Sequence, residues 1–275
     1  METFGQPITI TNGSSTCVVI LHGYSETPYE FKKVAESIAG TGVDVLVPVL
    51  PHHGVDSDEL LKADRAETWR WTREEIARLK QHYKKIILLG QSLGAGAAIT
   101  AAADGAPVDA IIVAAANEAP SNKVRIAMGL ARAFHVTSFK ARYAFLRRIG
   151  FDPAYVAWKR DHFPRISLHV FIESLDDMAR HPLDISRISV PIMVIHGTND
   201  FATKVQVSSD YVFNNVHSTK KVTVIVEETG HAVFLSPHFE ALMKIVNDFI
   251  QDVVKRGNRG EIATRMRIKK DGSVV

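Results

Sequence analysis

The chain has 275 residues and a single cysteine, Cys17. Without a second thiol an intrachain disulfide is excluded, and Cys17, at the start of an apolar strand, reads as a small buried residue rather than a reactive group. No apolar run approaches the roughly 20 residues a membrane helix needs, so stable membrane insertion is not expected. The start, Met1-Glu2-Thr3-Phe4-Gly5-Gln6, carries neither the basic region nor the apolar stretch of a secretion signal. A cytoplasmic location is the expectation. Net charge of either sign is also small: 33 Lys+Arg against 30 Asp+Glu leaves +3, which gives no ground for a nucleic-acid partner. The chain shows no internal repeat and no low-complexity segment. His52 and His53 are adjacent, yet no Cys, Asp or Glu cluster at ligand spacing accompanies them, so neither a metal nor another cofactor is expected. No feature of the sequence sets the oligomeric state.

What the chain does have is a 46% hydrophobic content, ordinary for a globular protein, and enough length for one large α/β domain. From residue 17 to 116, apolar strand-like runs alternate with helix-like segments, the signature of a mostly parallel sheet with crossover helices on both faces. Val18-Val19-Ile20-Leu21 reads as a strand ending in His22-Gly23-Tyr24. The next helix has Thr27 as its cap, Pro28 at its first position and Phe31, Val34, Ala35 and Ile38 on one face. Val43 to Val47, the run from Ile86, and Ala110 to Ala116 are further strands.

After Asn117 the rhythm changes. Residues 118–188 contain no comparable strand-like run, but aromatic residues (Phe134, Phe139, Tyr143, Phe145, Phe151, Tyr155, Trp158, Phe163, Phe171) recur in helix-compatible spacing. This segment reads as an inserted helical cap with enough apolar surface to roof a pocket. Its twelve Lys/Arg against seven Asp/Glu read as a solvated surface. The core, 1–117 and 189–254, resumes with Val190 to Ile195 and with Val222 to Val226, followed by a helix that begins at Ser236-Pro237 and buries Phe239, Leu242, Met243, Val246, Phe249, Ile250 and Val253. Residues 255–275, with seven Lys/Arg and two acids, read as a loosely attached basic tail; the alternation Arg265-Met266-Arg267-Ile268 before Asp271-Gly272 leaves a small hairpin as the alternative.

The stretch that carries chemistry is Gly90-Gln91-Ser92-Leu93-Gly94. A serine between two glycines is weak evidence alone, since with Gly and Ser each near 7% of residues such a pattern arises by chance about one time in ten. Its setting adds the weight: the apolar strand Ile86-Ile87-Leu88-Leu89 runs directly into it, and a small-residue helix follows. A serine hydroxyl is a poor nucleophile near neutral pH and needs an imidazole to take its proton and an acid to orient that imidazole. Asp200 stands just past one late strand and His231 just past the next, where the loops of a parallel sheet converge. Acyl transfer also builds charge on the carbonyl oxygen, which calls for two backbone donors. The expected donors are the N–H of Leu93 and the N–H of Tyr24. His22, His53 and His196 read as hydrogen-bonded structural groups.

Together, Leu21-His22-Gly23-Tyr24, Pro51-His52-His53-Gly54, Gly90-Gln91-Ser92-Leu93-Gly94, His196-Gly197-Thr198-Asn199-Asp200 and Thr229-Gly230-His231 resemble the α/β-hydrolase superfamily, and within it the small bacterial carboxylesterases and monoacylglycerol lipases. The resemblance implies an α/β-hydrolase fold, a Ser92-His231-Asp200 triad, an oxyanion hole at Tyr24 and Leu93, and a lid over a hydrophobic acyl pocket. The chain departs from the family pattern at Ala95, where a third glycine is common, and at Tyr24, where Phe or Leu is common. The expected activity is hydrolysis of carboxylic esters, short- to medium-chain acyl esters or monoacylglycerols, with a small-molecule ester as partner. Carbon–carbon bond or thioester hydrolysis by the same triad, and a non-catalytic binding module on the same fold, are the alternatives.

Overall fold

Along the central strands every second side chain faces a different helical layer, and both sets are buried. The computed structural model describes residues 4–116, 122–168, 172, 185–202 and 205–275. Ten strands are found among them. β6 (Ser138–Lys140) and β7 (Arg165–Ser167) form a separate antiparallel pair. The other eight are β1 (Ile8–Ile10), β2 (Thr16–Leu21), β3 (Asp44–Val47), β4 (Lys85–Gln91), β5 (Ala110–Ala114), β8 (Ile192–Gly197), β9 (Lys220–Val226) and β10 (Ile262–Ile268), in the order β1-β3-β2-β4-β5-β8-β9-β10. All neighbours in this sheet run parallel except β1 and β3.

Val18, Ile20, Ile87, Leu89, Ile112 and Ile195 pack on one face against α1 (Lys32–Ala39) and the long C-terminal helix, Phe239–Arg256. Val19, Leu21, Ile86, Leu88, Ile111 and Val194 pack on the other against α3 (Arg65–Leu79), α4 (Leu93–Ala103) and the helix Val205–Asn215. Burial on both faces explains why these strands are continuous apolar runs. A short helix, α2 (Ser57–Leu60), lies in the β3 exit segment.

Between β5 and β8 lie α5 (Asn122–Ala133), α6 (Ala144–Arg148) and α7 (Pro153–His162), with the β6–β7 pair among them. The short ladder departs from the all-helical expectation, and three polar-rich residues per strand leave no apolar run to reveal it. Among the described residues the later helices are α8 (Val205–Asn215) and α9 (Phe239–Arg256). Tyr143, Tyr155 and Phe163 of the inserted segment are buried in one cluster with Tyr24, Leu60 and Ala63, and Phe151 and Trp158 pack against it. Phe134 and Phe139 point outward instead. Phe171 and the Phe145 side chain lie outside the described residues, as do Asn117, Glu118 and the charged positions 173, 176, 177, 180 and 184.

The basic tail is not loose. β10 pairs parallel to β9 over its full length, and after it the chain turns back so that Arg267 and Val275 exchange backbone hydrogen bonds of 2.8 and 3.0 Å. Ile262, Met266 and Ile268 face the core while Ala263, Arg265 and Arg267 face solvent, so a strand buried on one side only is diluted with charge.

Candidate active site

β4 ends at Gln91 and α4 begins at Leu93, so Ser92 alone makes the turn, a sharp strand-to-helix elbow. Its backbone is at φ 52°, ψ −109°, a strained conformation held by a 2.9 Å bond from its N–H to the Ala114 carbonyl. The flanking glycines follow from close packing: a Cβ at Gly94 would lie 2.0 Å from the Leu21 carbonyl oxygen, and one at Gly90 2.2 Å from that of Gly94. Ala95 is buried where a third glycine is common.

The loops after β8 and β9 are tied to one another. Thr198 N–H donates to Val226 O at 2.9 Å, Asn199 N–H to Thr229 O at 2.8 Å, and Glu228 N–H to Thr198 Oγ1 at 3.1 Å. This brings Asp200 and His231 together. The Asp200 side chain is fully buried; its Oδ1 accepts the Ala202 N–H at 2.7 Å and its Oδ2 lies 2.9 Å from His231 Nδ1. The opposite ring nitrogen, Nε2, lies 2.9 Å from Ser92 Oγ. With the proton on Nδ1 donated to the carboxylate, Nε2 presents its lone pair to the serine hydroxyl. The three residues singled out in the sequence therefore form one hydrogen-bonded chain.

Tyr24 sits in a turn closed by the Glu26 N–H donating to Gly23 O at 3.1 Å, with Ser25 at φ 63°. Its ring is buried in the cluster shared with the inserted segment, against which Leu93 also packs. Burial pushes the Tyr24 phenol up to about 12, so the ring stays neutral. Leu93 is the first residue of α4, where N–H groups have no upstream carbonyl to bond.

Several groups near this site carry no signal in the sequence. Glu26 Oε2 accepts the Gly23 N–H at 2.6 Å, and its other oxygen accepts from the Gln91 side-chain amide. Burial, then the nearby Glu30 carboxylate, push its pKa up to about 7. Glu30 in turn accepts from Lys159 Nζ and, at 2.6 Å, from the Tyr155 hydroxyl. Thr27 occupies the N-cap position before Pro28 as expected, but its hydroxyl makes no capping bond and lies instead 3.0 Å from Tyr155 Oη on α7. On the rim, Phe201 is 73% exposed with its ring 6.0 Å from that of His231.

The remaining histidines divide. His22 Nδ1 lies 3.0 Å from Gly23 O while Nε2 accepts the Leu50 N–H at 3.2 Å, and His53 Nδ1 lies 2.7 Å from Pro51 O, both within the loops around the site. The expectation that His196 is hydrogen-bonded is not met: it is fully buried, and neither ring nitrogen has a partner among the described residues. Burial lowers His22 well below the usual imidazole value and takes His53 and His196 down to about 4. His52 lies between Glu59 and Glu67 at 2.7 and 2.9 Å, which raises its pKa. Among the described residues no group of three or more His, Cys, Asp or Glu is arranged to hold a metal ion, and no helix is long and apolar enough to cross a membrane.

The sequence is 23% identical over 219 residues to a thermostable monoacylglycerol lipase of Bacillus sp. strain H-257, covering 79% of this chain and 83% of that protein. It is 21% identical over 248 residues to a carboxylesterase of Bacillus subtilis strain 168, covering 90% and 96%. The crystal structure of a Paleococcus ferrophilus monoacylglycerol lipase superposes with a TM-score of 0.66 at 20% identity, covering 89% of this chain and 97% of that one. The model of the alpha/beta hydrolase family matches residues 18–242, and with that span, the elbow and the parallel sheet in hand, the chain belongs to the alpha/beta hydrolase family.

Proposed function

We propose that the protein is a serine hydrolase of carboxylic esters that works through an acyl-enzyme. The observation that carries this reading is the pair of 2.9 Å contacts from His231, one to Ser92 Oγ and one to Asp200 Oδ2. In the first half-reaction Ser92 Oγ attacks the ester carbonyl as its proton passes to His231 Nε2, and Asp200 steadies the imidazolium. The N–H groups of Tyr24 and Leu93 receive the developing oxyanion. His231 then returns the proton to the departing alcohol, which leaves the acyl group on Ser92. In the second half a water gives its proton to His231 and attacks the acyl carbonyl, and on collapse the Ser92–acyl bond breaks as His231 returns that proton to Ser92 Oγ, which releases the acid.

Residues 118–188 serve in this reading as a cap over an acyl pocket. The aromatic cluster joining Tyr24 to Tyr143, Tyr155 and Phe163 supports an apolar acyl group, and the lipase and esterase names of the relatives support short- to medium-chain esters or monoacylglycerols. The test is a chain-length series of p-nitrophenyl esters with wild type and Ser92→Ala. Wild type is expected to turn over esters from acetyl to octanoyl, and Ser92→Ala to lose about 10³- to 10⁶-fold in kcat. Unchanged turnover in Ser92→Ala sinks the reading.

A further inference from the structure

Glu26 closes a ring around the residue assigned as one oxyanion donor. Its backbone N–H bonds Gly23 O, its carboxyl folds back onto the Gly23 N–H, and Tyr24 lies between these two anchor points. The other carboxyl oxygen holds the side chain of Gln91, the residue immediately before Ser92. Gln91 is buried, and its own Oε1 has no partner, so Glu26 is what its side chain bonds among the described residues. The approach is close: a Cβ added to Gly23 would meet Glu26 Oε2 at 2.7 Å and Ser92 Cβ at 3.4 Å.

This arrangement is costly for a role in packing alone. Carboxylates taken from water are destabilising unless paired, and apolar residues of similar volume fill such space at less cost. The charged and titratable groups facing Glu26 are Glu30, which raises its pKa, and Lys159 and His231, which lower it; burial, the largest effect, leaves the pKa raised to about 7. What the carboxyl does supply is a rigid two-point bridge between the Tyr24 turn and the elbow. On its far side the same segment is held to α7 by Glu30 with Lys159 and by Thr27 with Tyr155.

We propose that Glu26 is a positioning residue of the hydrolytic site: its carboxyl, by joining the Gly23 N–H to the Gln91 amide, fixes the spacing between the Tyr24 and Leu93 donors and Ser92. The inference rests on the ester-hydrolase reading above. A donor misplaced by about 1 Å costs on the order of 100-fold in rate, with little effect on ground-state binding. Gln in place of Glu26 keeps an oxygen for the Gly23 N–H and an amide that pairs with Gln91 Oε1 once that side chain turns over.

The test is steady-state kinetics on a p-nitrophenyl ester for wild type, Glu26→Ala, Glu26→Gln and Gln91→Met, with kcat counted per site labelled by a serine-reactive phosphonate. Glu26→Ala is expected to lower kcat about 10- to 100-fold with KM within about 3-fold, and Glu26→Gln to recover kcat to within about 3-fold of wild type. Should Glu26→Ala give no labelled protein, Gln91→Met cuts the bridge at its other end and is expected to lower kcat about 10-fold. Wild-type kcat in Glu26→Ala or in Gln91→Met, or a Glu26→Gln variant as slow as Glu26→Ala, overturns the inference. Ser92→Ala in the same series separates the two readings: if it abolishes turnover while Glu26→Ala keeps the wild-type kcat, the role of Glu26 fails and the hydrolase stands.

Discussion

Lys159 and Glu30 stand 129 residues apart and form an ion pair whose side chains are 3% and 7% exposed. One belongs to α7 of the inserted segment and the other to the 3-10 turn that follows the Tyr24 loop. The Tyr155 hydroxyl, bonded to both Glu30 and Thr27, makes the junction a small polar network inside an aromatic shell.

Removing one partner leaves a buried charge uncompensated. Lys159→Ala is expected to cost about 3–5 kcal/mol of stability, whereas Lys159→Met combined with Glu30→Leu removes both charges and is expected to be much milder. Urea unfolding of the three proteins measures this directly. Equal losses in the single and double variants would show that packing, not charge, sets the cost.

Acid should loosen the fold through its buried imidazoles. His53 and His196, at about 4 when folded against an ordinary 6.5, and His22, lowered well below it, are held neutral by burial. A depressed pKa means the unfolded chain binds the proton first, so their stabilisation is complete above pH 6.5 and is lost as pH falls through about 4. His53 and His196 each account for on the order of 2–3 kcal/mol over that window. Glu26 acts in the opposite sense: raised to about 7, it favours the folded state below pH 4.5 and loses that contribution as pH rises through about 7. Urea midpoints between pH 4 and pH 8 follow both flanks. Glu26→Gln should flatten the neutral flank while leaving the acid one.

The last strand is structural. Ile268 is fully buried against the core, and Ile268→Ala is expected to cost about 2–4 kcal/mol. Arg267, one residue earlier on the solvent face with Glu227 at 3.3 Å, should lose no more than about 1 kcal/mol as Arg267→Ala. Thermal unfolding distinguishes them. Similar small shifts for both would mean that β10 adds little to the sheet.

Much of the fold was legible because the signals are local. β2, β4, β5, β8 and β9 are apolar runs since both faces are covered, and the elbow announces itself through glycines that the Leu21 and Gly94 carbonyls leave no room to replace. Asp200 and His231 could be read because strand ends are where a parallel sheet gathers side chains. β10 was visible only as the hairpin alternative at Arg265 to Gly272, because one of its faces is wet and its arginines resemble a tail; β6 and β7 escaped because each is three residues long. Glu26 and Gln91 lie 65 residues apart, and a lone acid in a loop and a lone amide in a strand have no pattern that joins them before the chain folds.

The contact between Ser92 and His231 spans 139 residues and passes two strands of the sheet, from β4 past β5 and β8 to the end of β9. Non-local closures of this kind come late and slowly in folding. Helix content can therefore return on refolding well before any ester is cleaved, and the lag between the two is a clock for the docking of β9 onto β8.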